Sequence, residues 1–369
     1  MGHAYTEDQL VEQPAICLFA ELGWQTVSAL EETFGSGGML GRETKGEVVL
    51  VPRLRAALER LNPTQPPEAI AAAVDELTRD RSAMSLEAAN REVYRLLKDG
   101  IRVSVPDRER GGQKTERVQV MDWEHPANND FLAVRQISFA GPLYTCRPDT
   151  VGFVNGLPLV FLEFKKPGVP ARAAFDDNLT SYKHPQNGIP TLFAYNALLI
   201  ASNGTDSSVG SLTADWDRFF EWKRIEREDE PRRVSLEVMI RGACEPARLL
   251  DLVENFTLFS EHKAGLVKVL GQNHQYLGVN NAIASMLEPR KRGHGCARAL
   301  LPSISVERIA GKVTLATGIR HERPVLTLRG RGHGLAREQP CRLRRGEASR
   351  HHAGPGIRRR AQRAALAHR

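Results

Sequence analysis

Asp149, Glu163 and Lys165 are the residues whose types and spacing suit chemistry best, in the run RPDTVGFVNGLPLVFLEFKKP from Arg147 to Pro167. Two carboxylates can hold Mg²⁺, a hard cation that takes oxygen ligands. A metal held there lowers the pKa of a bound water and offsets charge on a scissile phosphodiester. A nearby ammonium can orient that water and stabilise the developing negative charge. The chemistry implied is metal-assisted phosphodiester cleavage. The bland alternative is a solvated strand face, because E-x-K alone commonly marks a same-side surface ion pair.

The elements that must position these residues are two short apolar runs joined by Asn155-Gly156, a dipeptide that favours a tight hairpin turn. Side chains alternate along a strand, so Glu163 and Lys165 share one face, and Val160, Leu162 and Phe164 share the other, the expected core side. Regular pairing creates a conflict. A strict two-residue loop pairs Val154 with Leu157 and sets Asp149 opposite Leu162, on the face away from Glu163. A three-residue loop or a β-bulge corrects this and brings Asp149 opposite Glu163. With Pro148 ahead of Asp149, the arrangement D-x(13)-E-x-K on a hairpin resembles the PD-(D/E)xK nuclease motif.

The chain has 369 residues, enough for two ordinary domains. Its five cysteines are scattered, with no C-x-x-C pair, which argues against a zinc site or a disulfide framework and fits a reducing cytoplasm. The first residues lack a signal-peptide pattern, and no apolar run reaches transmembrane length. The net charge of +7 hides a division. Residues 289–369 hold 20 Lys and Arg against 4 Glu, a net of +16, whereas residues 1–288 carry a net of −9. An acidic body that acts on DNA needs local positive charge or partner subunits to hold it.

Thr6 and Gln9 have capping-box spacing, but Pro14 forbids a regular helix running straight through. The expectation is a turn through Gln13 and then a helix with Pro14 at its first position, burying Ile16, Leu18, Phe19 and Leu22. Periodicity predicts helices over 53–61, 66–79 and Ser85 to Lys98, with Ser85 as N-cap and Gly100 past the end. Strands are predicted over 101–105, 116–123, 131–139 and 197–202, with a helix from Ala171 to Tyr182 after the motif hairpin. The fold class is α/β, a mixed central sheet flanked by helices.

The run TEDQLVEQPAICLFAELGW resembles the N-terminal segment of type I restriction enzyme R subunits, and the likeness extends over roughly residues 5 to 288. It implies a PD-(D/E)xK restriction-endonuclease-like core, followed in the family by a two-lobed, ATP-driven DNA translocase. Glu12 falls where such nucleases carry an accessory acidic residue on the first helix. From the residues alone, it is a helix-start glutamate favoured by the dipole. Asn178 and Tyr182 fall on the Gln-x-x-x-Tyr positions, which contact DNA or brace the site, with Asn178 in place of the glutamine. The segment HQYLGVNNAIASML places Gln275 where a glutamine can recognise adenine, or where an ordinary first-turn helix residue would sit. The resemblance also implies double-stranded DNA as substrate, Mg²⁺ as cofactor, ATP in the intact family, and the methyltransferase (M) and specificity (S) subunits as partners.

The expected organisation is an endonuclease domain over 1–230, a helical linker over 231–288 leading toward the motor, and an Arg-rich tail over 289–369. A phosphate-binding GxxxxGK[ST] loop, due about twenty residues after Gln275, does not appear. The tail holds no Phe, Trp or Tyr and six of the eleven histidines; a basic arm for nucleic acid competes with a shifted reading frame, and the break where the phosphate loop is due favours the frameshift and hence a mostly disordered tail. The competing readings are a stand-alone PD-(D/E)xK nuclease of repair or defence, and a non-catalytic assembly module docking on a methyltransferase complex.

Overall fold

The first helix accommodates Pro14 by changing pitch, in a computed structural model that describes residues 6–287 except Ser36, residues 108–110, Glu228 and Ala264. The tail lies outside the described residues, so the expectations for it do too. Thr6 Oγ1 accepts the Gln9 N–H at 3.3 Å. A π-helical segment, Asp8–Glu12, then runs directly into α1 (Gln13–Glu21). The expected turn through Gln13 is not formed, since Glu12 and Gln13 both have helical backbone angles. The wide π turn bonds i to i+5, which relieves the clash that a proline ring makes with the carbonyl of an ordinary α turn. Val11, Ala15 and Phe19 are fully buried, with Ile16, Leu18 and Leu22 partly buried around them.

β1 (Gln25–Ser28) follows, and then α2 (Val51–Leu61), α3 (Pro67–Thr78) and α4 (Leu86–Asp99). These three helices fall where periodicity places them. Ser85 Oγ accepts the Ala88 N–H, and Gly100 takes a left-handed φ of 72° past the end. β2 (Ile101–Pro106) and β3 (Gln113–Val118) pair as a hairpin whose Ile101, Val103 and Val105 join the core. Residues 119–123, expected as strand, have no strand partner. Asparagine side chains satisfy their backbone instead: Asn62 Oδ1 accepts the Gln119 N–H at 2.7 Å, and Asn129 Oδ1 the Asp122 N–H at 3.0 Å.

β4 (Phe131–Arg135) also ends earlier than expected, because Gln136 turns the chain with a φ of 56°. β5 (Phe139–Ala140) and β6 (Thr145–Cys146) pair briefly. Next come β7 (Thr150–Val154) and β8 (Leu157–Phe164), then a helical run whose middle, Ala174–Leu179, is π-helical and which ends in α5 (Thr180–Tyr182). α6 (Pro190–Phe193), β9 (Leu198–Ser202) and β10 (Ser207–Gly210) complete a six-stranded mixed sheet in the order β1-β4-β7-β8-β9-β10. Beyond it lie α7 (Ser235–Ala243), α8 (Pro246–Asn255), a hairpin of β11 (Thr257–His262) and β12 (Gly265–Leu270), and α9 (Asn273–Leu287). The stretch read from sequence as a helical linker therefore contains a β-hairpin. It is held to the rest of the unit by polar contacts such as Trp24 Nε1 donating to Cys244 O at 2.9 Å. None of the described helices is long and apolar enough to cross a membrane.

Both faces of the sheet are covered. Val160, Leu162 and Phe164 pack into one core with α1, α3 and α4, while Phe161 packs into another with Phe175, Leu179 and Phe193. Every residue of β8 is buried, which makes it a fully interior strand. The hairpin joining β7 to β8 has the two-residue turn, with Asn155 and Gly156 at φ of 51° and 79°. Its register then shifts: Phe153 pairs with Pro158, but Gly152 pairs with Val160, leaving Leu159 as an extra residue. Thr150 consequently pairs with Leu162, and the next step sets Asp149 opposite Glu163. Of the two ways of bringing these residues together, the chain uses the bulge.

Two stability predictions follow from this packing. The Asn155 side chain is fully buried, donates to Val120 O and Asn129 Oδ1 at 2.9 Å each, and accepts the Asp130 N–H at 2.8 Å. Asn155→Ala should destabilise the protein by about 3 kcal/mol or more, through lost buried hydrogen bonds and a left-handed alanine. Asn155→Gly should cost less than Asn155→Ala, because it keeps the turn geometry. Denaturant unfolding of the two variants checks the order.

Lys268 is fully buried, with Nζ on Asn196 O at 2.5 Å beside a cavity of about 10 Å³, and burial pulls its ammonium down to about 7. Between that value and the ordinary 10.5 the unfolded chain binds the extra proton, so stability rises with pH across this window. Below pH 7 the full penalty, on the order of 5 kcal/mol, is present. Lys268→Met should therefore raise the melting temperature at pH 6.5, and the gain should shrink toward pH 10; calorimetry across that range checks it.

Candidate functional site

Asp149 stands one residue ahead of β7 and is fixed at three atoms. Its carbonyl accepts the Gln136 N–H at 2.9 Å, Oδ2 accepts the Phe164 N–H at 2.7 Å, and Oδ1 receives Gln136 Nε2 at 3.4 Å. The Phe164 bond ties Asp149 to the strand that carries Glu163, so the bulge and this bond set the distance between the two carboxylates. Glu163 is fully buried, its carboxylate lies against that of Asp149, and neither Oε atom has a hydrogen-bond partner. Burial, and then the charge of Asp149, push the Glu163 carboxyl well above the usual range. Asp149 is raised as well, mainly by burial and against the pull of the Phe164 N–H.

Lys165 follows β8 and continues its pairing with β9 through a backbone bond to Ser202 O at 2.9 Å. Its Nζ donates to Asn178 Oδ1 at 2.7 Å and lies 4.0 Å from Asp177. Asn178 Nδ2 in turn donates to Tyr182 Oη at 3.4 Å. The Tyr182 ring meets Phe161 edge-on at 6.0 Å, and burial raises its phenol. Lys165, Asn178 and Tyr182 thus form a chain of contacts from the end of β8 to the end of the π-helical run. The shorter amide at 178 still reaches the lysine.

Glu12 is buried beside Asp149, and Gln136 Nε2 donates to its Oε2 at 2.8 Å. Burial pushes the Glu12 carboxyl up to about 7, with the Asp149 charge adding to it. Glu7 completes a cluster: one carboxylate oxygen each from Glu7, Glu12 and Asp149 lie within 4.8 Å of one another. Sequence reasoning missed Glu7 and Gln136. On an α-helix, Asp8 shares a face with Glu12. The π turn replaces Asp8 with Glu7, five residues back, and Asp8 pairs instead with Arg135 at 2.8 Å. Pro14 was the available signal, since a proline that close to a helix start demands a local change of pitch. Gln136 gave no signal, because it falls inside a run that reads as continuous strand.

Gln275 lies in the first turn of α9, where its Oε1 accepts the Gln272 N–H at 2.8 Å.

These donors suit a divalent cation. They are hard oxygen ligands held by strands and a helix, and the two partnerless oxygens of Glu163 are those a buried carboxylate shows where a cation binds. The ammonium of Lys165 is close enough to lower the pKa of both carboxyls, on a partner that leaves it other donor positions.

The family model for the type I restriction enzyme R protein N terminus matches residues 4–218. The type I restriction enzyme HindI endonuclease subunit of Haemophilus influenzae is 34% identical over 288 residues, which cover 75% of this chain and 26% of that protein. The type I restriction enzyme EcoprrI endonuclease subunit of Escherichia coli is 28% identical over 156 residues, covering 42% of this chain and 50% of that one. The chain thus spans about a quarter of the length of the HindI subunit. With more than half of its residues matched by that family and a third of them identical to the HindI subunit where the two align, the chain belongs to the type I restriction enzyme R protein N-terminal family.

Proposed function

We propose that this chain is the nuclease region of a type I restriction enzyme R subunit, an Mg²⁺-dependent endonuclease acting on double-stranded DNA in the restriction of foreign DNA. The observation that carries the reading is Glu163: a carboxylate with no exposed surface, pressed against a second carboxylate, with a lysine two residues on. Such a group is costly unless a cation joins it. Family membership supports the same reading, as the relatives are named as endonuclease subunits.

Asp149 and Glu163 are the proposed metal ligands, with Glu12 as an accessory one. The bound Mg²⁺ supplies Lewis acidity and an acidified water. Asp149 enters the reaction already oriented, because the Phe164 N–H and Gln136 fix its carboxylate. Lys165 holds the attacking water and faces the phosphate charge, while Asn178 and Tyr182 hold the lysine and reach toward the DNA. We also propose that residues 1–230 form the endonuclease domain and that 231–288 connect it to an ATP-driven motor. In that setting Gln275 is an adenine contact, the M and S subunits are the partners, and the compartment is the cytoplasm.

Placed in an R subunit with a complete motor and assembled with its partners, Asp149→Ala, Glu163→Ala and Lys165→Ala should each abolish DNA cleavage and leave ATP hydrolysis intact. The losses should be non-additive, since the three act as one unit. Plasmid linearisation and phosphate release, measured side by side, check both halves. Cleavage persisting in both Glu163→Ala and Lys165→Ala would leave the chain as a non-catalytic assembly module.

A further inference from the structure

Leu143 and Tyr144 are neighbours in sequence and are 66% and 62% exposed, the highest values of any large apolar side chain among the described residues. They stand at the tip of the β5–β6 hairpin, where the Gly141 N–H donates to Tyr144 O at 2.8 Å and Pro142-Leu143 make the two-residue turn. The base of that hairpin is fixed. Phe139 is fully buried, the Ala140 N–H donates to Lys45 O at 2.8 Å, and a Cβ on Gly141 would lie 2.0 Å from Gly188 O. A loose loop would fold two such side chains back onto the protein. A hairpin seated between two other segments holds them out, and apolar surface held in water marks a place where something binds.

The same hairpin leads into the candidate site. Cys146, at the end of β6, is buried, with Sγ on Asn187 O at 4.0 Å, and it lies close enough to Tyr182 to act on its phenol. Asp149 is five residues beyond Tyr144, so the tip stands at most about 18 Å from it. One strand of a duplex advances about 3.4 Å per base, so the tip falls within about five base steps of a phosphate bound at Asp149. Lys45, against β5, and Arg147, just past β6, are both exposed and supply local positive charge that the acidic body needs to hold DNA. Two side chains on a two-residue turn are too narrow for an ordinary protein interface, which covers about 800 Å² on each side. They match the apolar wedges that enter a duplex between base pairs and kink it. We propose that Leu143 and Tyr144 are such a wedge, which unstacks a base step beside the phosphate to be cut. This rests on the reading of Asp149, Glu163 and Lys165 as the cleavage site. Leu143 fills the opened step, Tyr144 stacks on the face of the freed base, and Lys45 and Arg147 hold the flanking phosphates. The kink turns the backbone of the cut strand toward the carboxylates. Leu143 and Tyr144 are thus positioning residues for the DNA.

The test uses the full chain and short DNA duplexes carrying 2-aminopurine, a base whose fluorescence rises when it is unstacked, with Ca²⁺ in place of Mg²⁺. Cleavage is not read, so the assay reports on the tip whether or not the carboxylates cut. The Arg-rich tail adds the same phosphate attraction to every variant, and the differences between variants isolate the wedge. The wild type should raise the fluorescence on binding. Tyr144→Ala combined with Leu143→Ala should abolish the rise and weaken binding by about tenfold, the scale of losing one stacked base. Tyr144→Phe should keep both, because the ring does the stacking. Arg147→Ala should weaken binding and lower its salt dependence, which the double alanine variant should leave unchanged. Both side chains are mostly exposed, so the melting temperature of the double variant should stay at the wild-type value. Duplex bound by the wild type with no rise in fluorescence, and bound as tightly by the double variant, would overturn the wedge and leave the nuclease reading standing. A self-association of the wild type that the double variant loses, with DNA binding unchanged, would assign the tip to a second copy of the chain and also overturn it.

Discussion

The burial of Glu163 against a second carboxylate is the constraint on which the rest of the site depends. A carboxylate in a protein interior must be protonated, paired or bound to a cation, and each alternative is worth several kcal/mol. Here the strand that carries it is interior along its whole length, so Glu163 has no route to water. The charged neighbour nearest to it is another carboxylate, which raises the cost further. The fold around it holds that pair together instead of relieving it: the bulge at Leu159 sets Asp149 opposite Glu163, and the Phe164 N–H fastens it there.

The hairpin that makes this possible is anchored at its far end. The Asn155-Gly156 turn is buried, with Asn155 bonded to Val120 and to the adjacent Asn129 and Asp130. A Cβ on Gly156 would approach Leu50 O to 2.6 Å, so the backbone of α2's start packs directly on the turn. A turn fixed this way leaves the register no freedom to slip, and a slip of one residue would return Asp149 to the wrong face. Stability at the turn and geometry at the carboxylates are the same constraint at two ends of one hairpin.

The sequence made the hairpin legible because its signals are local. Asn-Gly states the turn, β-branched and aromatic residues state the strands, and the conflict in register demands either a three-residue loop or a bulge. The helices of residues 51–99 were equally plain, since cap, period and terminating glycine agree. What escaped was set by tertiary context. Residues 119–123 read as strand by composition, yet Asn62 and Asn129 satisfy their backbone from elsewhere in the chain. Gln136 interrupts a strand with a left-handed turn that its residue type does not announce. Glu7 was hidden because α-helical spacing selects Asp8, and only a π turn brings position 7 to the site. The hairpin within 257–270 was missed because its residues alternate weakly and follow a strong helical pattern.

On the proposed reading, the paired carboxylates of Asp149 and Glu163 hold a divalent cation. Anomalous diffraction from crystals of this chain grown with Mn²⁺ tests it most directly. An anomalous peak is expected at roughly 2.2 Å from a carboxylate oxygen of both residues, the ordinary distance for a hard divalent ion on oxygen. A site that stays empty at saturating Mn²⁺, with Glu163 protonated and hydrogen-bonded to Asp149, would contradict it.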